Sequence, residues 1–256
     1  MTQPSRVFRL AAQEFFTLWR AVHGDRHPVP VGVKHYGRTE ADRAELVATS
    51  SRTLSARGLG TVARPDGELH ALVRGLAEFD TGLEVVFSRR GETLRGLATS
   101  GWHGAFIARV GEQVQLAAFH PTALASTTVS TLPAAQPGAG RSVNLRWTDY
   151  VAAGQAGERD GVGGFLEVLR YAGVHEPEAN TLLRAVTTRT GGGQVGLIAR
   201  NRAGYLHQTG LALSWLDSRE GRYLVRRHDG WFVLAPTDPA RLTSALEDLV
   251  AAARRG

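Results

Sequence analysis

The feature that most constrains the fold is a pattern written twice. Residues 103–124, HGAFIARVGEQVQLAAFHPTAL, and residues 220–242, EGRYLVRRHDGWFVLAPTDPARL, each read as strand, tight turn, strand, proline and helix start. Gly104, Phe106, Ile107 and Arg109 align with Gly221, Tyr223, Leu224 and Arg226 without a gap. The turns Gly111-Glu112 and Asp229-Gly230 then fall within a residue of register. Asp-Gly favours a type I′ hairpin turn, whose central residues need positive φ. A proline beyond the second strand cannot donate to a ladder but fits a first helical turn.

The elements before each hairpin recur in the same order. SRVFRLAAQEFFTLWRAVHG begins extended and turns helical, with Phe8, Ala12, Phe15, Trp19 and Val22 on one apolar helical face and Gly24 as the stop. HPVPVGVKHYG is extended. RTEADRAELVATSSRTLSARGLG is a helix capped by Thr39, with Asp42 completing a weak capping box and Gly58 and Gly60 ending it. A third helix spans about Asp66 to Phe79. Strands follow in GLEVVFSRR, in ETLRGLATSGWHGAFIARV, broken by Gly101 and Gly104, and in EQVQLAAFHP. Thr122 is positioned to cap the helix after Pro121.

PAAQPGAGRSVN is a linker, and the plan then repeats. Helices TDYVAAGQA and VGGFLEVLRYAGV flank the glycine-rich GERDGVGG. HEPEANTLLRAVTTR is a helix with Pro177 in its first turn and Leu182, Leu183 and Val186 inward. Four strands and a closing helix follow; Pro239 opens that helix, Thr237 or Asp238 caps it, and Leu242, Leu246, Leu249 and Val250 form its buried stripe. A half-domain that covers its strands with helices still leaves an edge free to pair with its twin. The expected fold is therefore α+β: a central antiparallel sheet flanked by two helical bundles in a pseudo-twofold internal repeat. The expected organisation is a single domain, 1–256, with halves at about 1–135 and 140–256.

Composition removes several functions. The 256 residues include no cysteine, which excludes disulfides, thiolate catalysis and cysteine-ligated zinc. No apolar run approaches the roughly 20 residues of a membrane span. The start, MTQPSRVFRLAAQEFF, lacks the parts of a signal peptide, so a cytoplasmic location is expected. The net charge of +6 raises nucleic-acid binding as an alternative. However, 29 of the 30 basic residues are arginines scattered along the chain, the densest groups being pairs such as Arg89-Arg90 and Arg226-Arg227.

No motif for catalysis, cofactor or metal survives inspection. His23 and His27 are four apart, but Gly24 and Pro28 break the helix that a metal pair would need. GVGGFLEVL has glycines before a helix, but no preceding strand and no Gly-Lys-Ser/Thr. A Gly-x-Ser-x-Gly elbow is absent. Trp19, Trp147, Trp215 and Trp231 read as core or sheet packing, whereas Trp102, in TSGWHGA, is the best candidate for an exposed aromatic.

The order of motifs resembles the EspG family of actinobacterial type VII (ESX) secretion. FRLAAQEFFTLWRAV resembles that family's opening strand and Glu-Phe-x-x-Leu-Trp helix, and VGVKHYGRTEADRAEL its extended segment and Gly-Arg-Thr helix start. LPAAQPGAGRSVNLRWTDY resembles its mid-chain linker; GGGQVGLIARN and GRYLVRRHDGWFVLAPTDPARL resemble its last strands and closing helix. Ala11 departs from the threonine the family commonly uses to cap its first helix. The resemblance implies a cytosolic, non-enzymatic chaperone that binds the PPE subunit of helical PE–PPE secretion substrates near its tip, keeps the pair soluble and helps deliver it. No family motif assigns the contact residues. Leu211, Leu213 and Trp215 on the long strand of the second half, with Arg226 on the next, form one candidate partner surface. The loop from Arg89 to His103, with Arg90 and Trp102, is another. A wide sheet of this kind can also pair as a homodimer.

Overall fold

The computed structural model describes residues 6–24, 31–201 and 203–255, apart from the side chains of Leu211, Arg254 and Arg255. Their first half runs β1 (Val7–Ala11), α1 (Ala12–His23), α2 (Glu40–Ala56), α3 (Gly67–Gly75), β2 (Thr81–Arg89), β3 (Glu92–Ser100), β4 (Gly104–Val110), β5 (Gln113–Phe119), a 3-10 turn (Pro121–Ala123) and α4 (Leu124–Ser130). The second runs β6 (Val143–Arg146), α5 (Trp147–Tyr171), α6 (Glu176–Thr187), β7 (Arg189–Arg200), β8 (Leu206–Ser218), β9 (Gly221–His228), β10 (Trp231–Pro236) and α7 (Pro239–Arg255). The ten strands hydrogen-bond in the order β1-β5-β4-β3-β2-β7-β8-β9-β10-β6. Two compact units share them: residues 1–86, 92–128 and 196–210 form one, and residues 87–91, 129–195 and 211–256 the other.

In the first unit, Phe8 and Leu10 of β1, Phe15, Leu18 and Trp19 of α1, Leu69, Leu72 and Val73 of α3, and Ile107, Val114 and Leu116 of the sheet form one apolar core. Ala11 offers no capping side chain, so only half of a capping box forms: the Glu14 carboxylate accepts from the Ala11 N–H at 2.8 Å. Glu14 is buried and also accepts from Thr53 of α2 and from Arg57 just after it, which ties the two helices together. Thr39 and Asp42 make the expected reciprocal box on α2, and these bonds hold the Asp42 carboxyl below its usual range. Tyr36 donates to Glu112 at 2.6 Å, beside the β4–β5 turn. Burial and that bond push the Tyr36 hydroxyl up to about 12, while the bond holds the Glu112 carboxyl down. At the far end of β5 the expected Thr122 cap gives way to His120, whose ring accepts from the Thr122 N–H.

In the second unit, Val143 and Leu145 of β6, Phe165 and Leu169 of α5, Leu182 of α6, and Tyr223, Phe232 and Leu234 of the sheet form the core. The glycine-rich stretch expected between two helices is a break within α5 at Gly161, where φ is 69°. Val186 is 38% exposed, against the inward position expected of it. Ala179, Leu182 and Ala185 fill that face of α6 instead. Asp229 and Gly230 both have positive φ, as the type I′ turn requires. Asp238 caps α7, accepting from the Arg241 N–H.

Each half orders its strands alike: the first pairs with the fifth, then fourth, third and second follow. The amide of Ala12 donates to the carbonyl of Glu112 at 2.8 Å, and that of Trp147 to Gly230 at 2.8 Å. Thus the same bond joins the first helix of each half to its last hairpin turn. These bonds correct the ungapped alignment by one residue. Ala105 corresponds to Tyr223, Val114 to Phe232, Leu116 to Leu234 and Pro121 to Pro239, and each of the three strand pairs is buried on both sides. Pairing Phe106 with Tyr223 sets a half-buried side chain against a buried one, because a one-residue slip in a strand exchanges its faces.

Candidate functional site

Among the described residues no three His, Asp or Glu side chains could hold a metal. The ring of His23 lies 4.3 Å from that of Trp19, and its Nε2 meets the Val73 carbonyl at 3.0 Å. His27 falls outside the described residues.

Among the described residues, the one ion pair buried on both sides is structural. Arg222 donates from Nε and Nη2 to the two carboxylate oxygens of Asp217, at 2.6 and 2.9 Å, and from Nη2 to the Pro133 carbonyl at 3.1 Å. The backbone of Arg222 also pairs with Gln136 and Gly138. Tyr223 adds a bond to the Ala139 carbonyl at 2.8 Å. The linker between the halves is therefore fastened to β9. The approach is close enough that a Cβ on Gly138 would fall inside the Tyr223 ring.

Among the described residues, the most exposed large apolar side chain is Trp102, at 95%, in the turn Gly101–His103 between β3 and β4. It lines an open cleft of about 530 Å³ with Ala77, Glu78, Asp80, Arg200, Tyr205 and Leu206. Tyr205 is itself 72% exposed. Both aromatic turns are held in place. Gly101 lies against the backbone of residues 78–80, and Asp80 N–H donates to the Ser100 carbonyl. Asn201 accepts from the amides of Ala203 and Tyr205, and Arg200 donates to the carbonyls of Phe79 and Gly204.

The candidate partner residues are thus placed in different settings. Trp102 and His103 are exposed in the first unit. Arg89, Arg90 and Arg226 are exposed in the second. Leu213 and Trp215 are buried at 4% and 3% exposure, and the Trp215 ring stacks on Phe87 at 6.1 Å, so in this structure they pack the sheet rather than form surface. The Trp215 indole N–H has no hydrogen-bond partner there. The Leu211 side chain lies outside the described residues. Sequence reasoning missed Tyr205 and Leu206; the signal was the Asn-x-x-Gly-Tyr loop between two strand patterns.

A profile of the EspG family matches residues 11–248. The chain belongs to the EspG family. Its fold is similar to that of the Mycobacterium tuberculosis type VII secretion system chaperone EspG5, whose structure was determined in complex with a PE25–PPE41 dimer. That likeness covers 96% of each chain with a TM-score of 0.74 and 17% identity, and at that identity it is one of fold. Comparison with curated protein sequences gives no match. No helix among the described residues is long and apolar enough to cross a membrane.

Proposed function

We propose that this EspG-family chain is a cytoplasmic, non-catalytic chaperone of type VII secretion. It binds a helical PE–PPE-type heterodimer, keeps the pair soluble and helps target it to the secretion machinery. The observation that carries the reading is the family match from residue 11 to 248 on the fold of a chaperone solved with such a pair. Exposed apolar helix tips drive aggregation, and covering them needs surface rather than a reactive group. The chain acts as one domain built from two related halves, about 1–135 and 140–256. Partner contacts draw on Trp102 and His103 in the first unit and on Arg89, Arg90 and Arg226 in the second, all of them exposed. Leu213 and Trp215 pack the sheet within the second unit.

Nucleic-acid binding is the lesser reading. Part of the arginine excess is spent inside the protein: Arg57 on Glu14, Arg109 on the Val31 and Gly32 carbonyls, Arg200 on Phe79, and Arg222 on Asp217. Co-expression with the secreted helical pair from the same locus, followed by size-exclusion chromatography, tests the proposal. Co-elution as one complex is expected; separate elution of folded partners overturns it. Strongly salt-dependent binding to DNA or RNA would favour the lesser reading instead.

A further inference from the structure

We propose that four arginines of the second unit, Arg89, Arg90, Arg189 and Arg219, form a binding site for an acidic peptide segment of a protein partner. The proposal rests on the chaperone reading only for the expectation that the chain meets such a partner. At Arg89 and Arg90 it gives that contact its chemistry.

Three observations converge on it. First, the backbone gathers these residues. Arg89 ends β2, Arg90 turns toward β3, Arg189 opens β7 and Arg219 lies in the turn between β8 and β9. All four are exposed and belong to the second unit. In the sheet β7 lies between β2 and β8. A Cβ on Gly191 would stand 3.2 Å from the Cβ of Arg89, and Arg189 Nε donates to the Gly191 carbonyl at 3.3 Å. On the other side the Arg219 N–H donates to the Thr188 carbonyl at 3.0 Å. Three adjacent strand ends span about 10 Å.

Second, the charge is uncompensated. Among the described residues none of the four makes an ion pair. The carboxylates beside Arg219 are engaged elsewhere, Asp217 by Arg222 and Glu220 by Arg184 at 3.2 Å. Glu92, two residues past Arg90, offsets one of the four charges at most. Third, Arg90 stands where a turn does not call for it. Its φ is 51° and that of Gly91 is 84°. The turn Asp229-Gly230 has the same form, with φ of 49° and 78°. The first central position of such a turn favours Asn, Asp or Gly. Asp229 follows that preference and Arg90 goes against it, so the stability of the turn does not account for the arginine.

A carboxylate meets a guanidinium through paired N–H···O bonds. Carboxylates on successive turns of a helix, about 5 Å apart, match the spacing of the strand ends. Nucleic acid fits less well. Single strands follow an extended basic groove and stack their bases on aromatic rings. Among the described residues no exposed aromatic lies on these strand ends.

The test uses the full chain and needs no secretion substrate, so its failure is separable from failure of the chaperone reading. The peptide Ac-Glu-Glu-Glu-Glu-NH2 is titrated against the 15N-labelled protein at low salt. The matching glutamine peptide, inorganic phosphate and an oligothymidylate with four phosphates serve as controls. Saturable shifts of the Arg90, Gly91, Gly191 and Arg219 amides are expected with the glutamate peptide, fading as salt is raised. Arg89→Gln with Arg189→Gln should weaken it by about five-fold, the scale of two exposed ion pairs. The charge-matched pair Arg159→Gln with Arg170→Gln, on α5 of the same unit, should leave it unchanged. Arg90→Asp should weaken it at least as much as the first pair while the urea midpoint does not fall, because Asp suits the turn. Equal shifts from the glutamine peptide, equal weakening by the α5 pair, binding indifferent to Arg90→Asp, or tighter binding of phosphate or of the oligothymidylate overturns the proposal. All the substituted side chains are exposed, and unchanged signals from the core indoles verify that the variants are folded.

Discussion

The hairpins β3–β4 and β8–β9 hold the same place in the strand order of their halves and are built to different ends. The first turns through Gly101–His103 and leaves Trp102 in water. The second turns through Arg219 and Glu220, and Glu220 is tied back to Arg184 of α6. Below the turns the contrast continues. Thr99 faces Ala105 in the first hairpin, and its hydroxyl simply donates to the Ala105 carbonyl. In the second hairpin Asp217 faces Arg222, a buried bidentate ion pair that also grips the linker. The lesson is that the shared backbone plan fixes where a turn occurs, while side chains decide whether that turn anchors the chain or stands open to solvent.

The largest effect is expected from Arg222→Ala. It strands Asp217 in the interior and releases the Pro133 carbonyl, at a cost of about 3–5 kcal/mol. Urea unfolding measures this. The double change Asp217→Leu with Arg222→Met removes both charges and should recover most of the loss. A double variant as unstable as Arg222→Ala would mean that the grip on the linker, not the stranded charge, dominates. Gly138→Ala comes next. Its methyl group overlaps the Tyr223 ring, and overpacking of this kind costs about 1–3 kcal/mol. A loss in that range, read from the same unfolding curves, confirms that the linker is seated on the second hairpin.

A smaller effect belongs to the first half alone. Tyr36 has a raised pKa, so its contribution is complete below its ordinary value of 10 and is lost as pH rises toward about 12. Glu112 has a lowered pKa, so its share is present above about 4.5 and is lost as pH falls further. The corresponding turn of the second half, at Asp229-Gly230, stands beside the exposed pair His228 and Asp229. Tyr36→Phe should therefore flatten the fall in stability between pH 10 and 12 measured by urea titration. The smallest effect on stability is expected from Trp102→Ala, within about 0.5 kcal/mol of the parent chain, because the residue packs against so little. Its effect should instead be read in partner binding. A large loss of stability would make Trp102 an anchor like Arg222 and erase the contrast between the turns.

Much of the architecture was legible because it rests on local signals. Thr39 with Asp42, Asp229-Gly230 and Pro239 each set a boundary by backbone chemistry within a few residues. The strand β6 was not, because four residues at the end of a linker carry too little alternation to stand out from it. The slip of one residue between the repeated hairpins had a similar cause: glycine and arginine identities favoured one register and burial the other. The surface was hardest to read. The glycine neighbours of Trp102 point to it, but its cleft also needs Glu78 and Asp80 from the connection between α3 and β2 and Tyr205 from a loop a hundred residues on. Trp215 and Leu213 carry the same residue types as a binding surface, and only the stacked Phe87 reveals that they are interior.

A chaperone that holds a secreted helical pair must form a stable complex with it in solution. Light scattering on a size-exclusion column, with the purified chain and the PE–PPE-type heterodimer of its own locus, tests it most directly. The expected result is a single peak heavier than the pair by one copy of this 27.6 kDa chain. Two peaks at the masses of the separate folded components, at concentrations where both remain soluble, would contradict it.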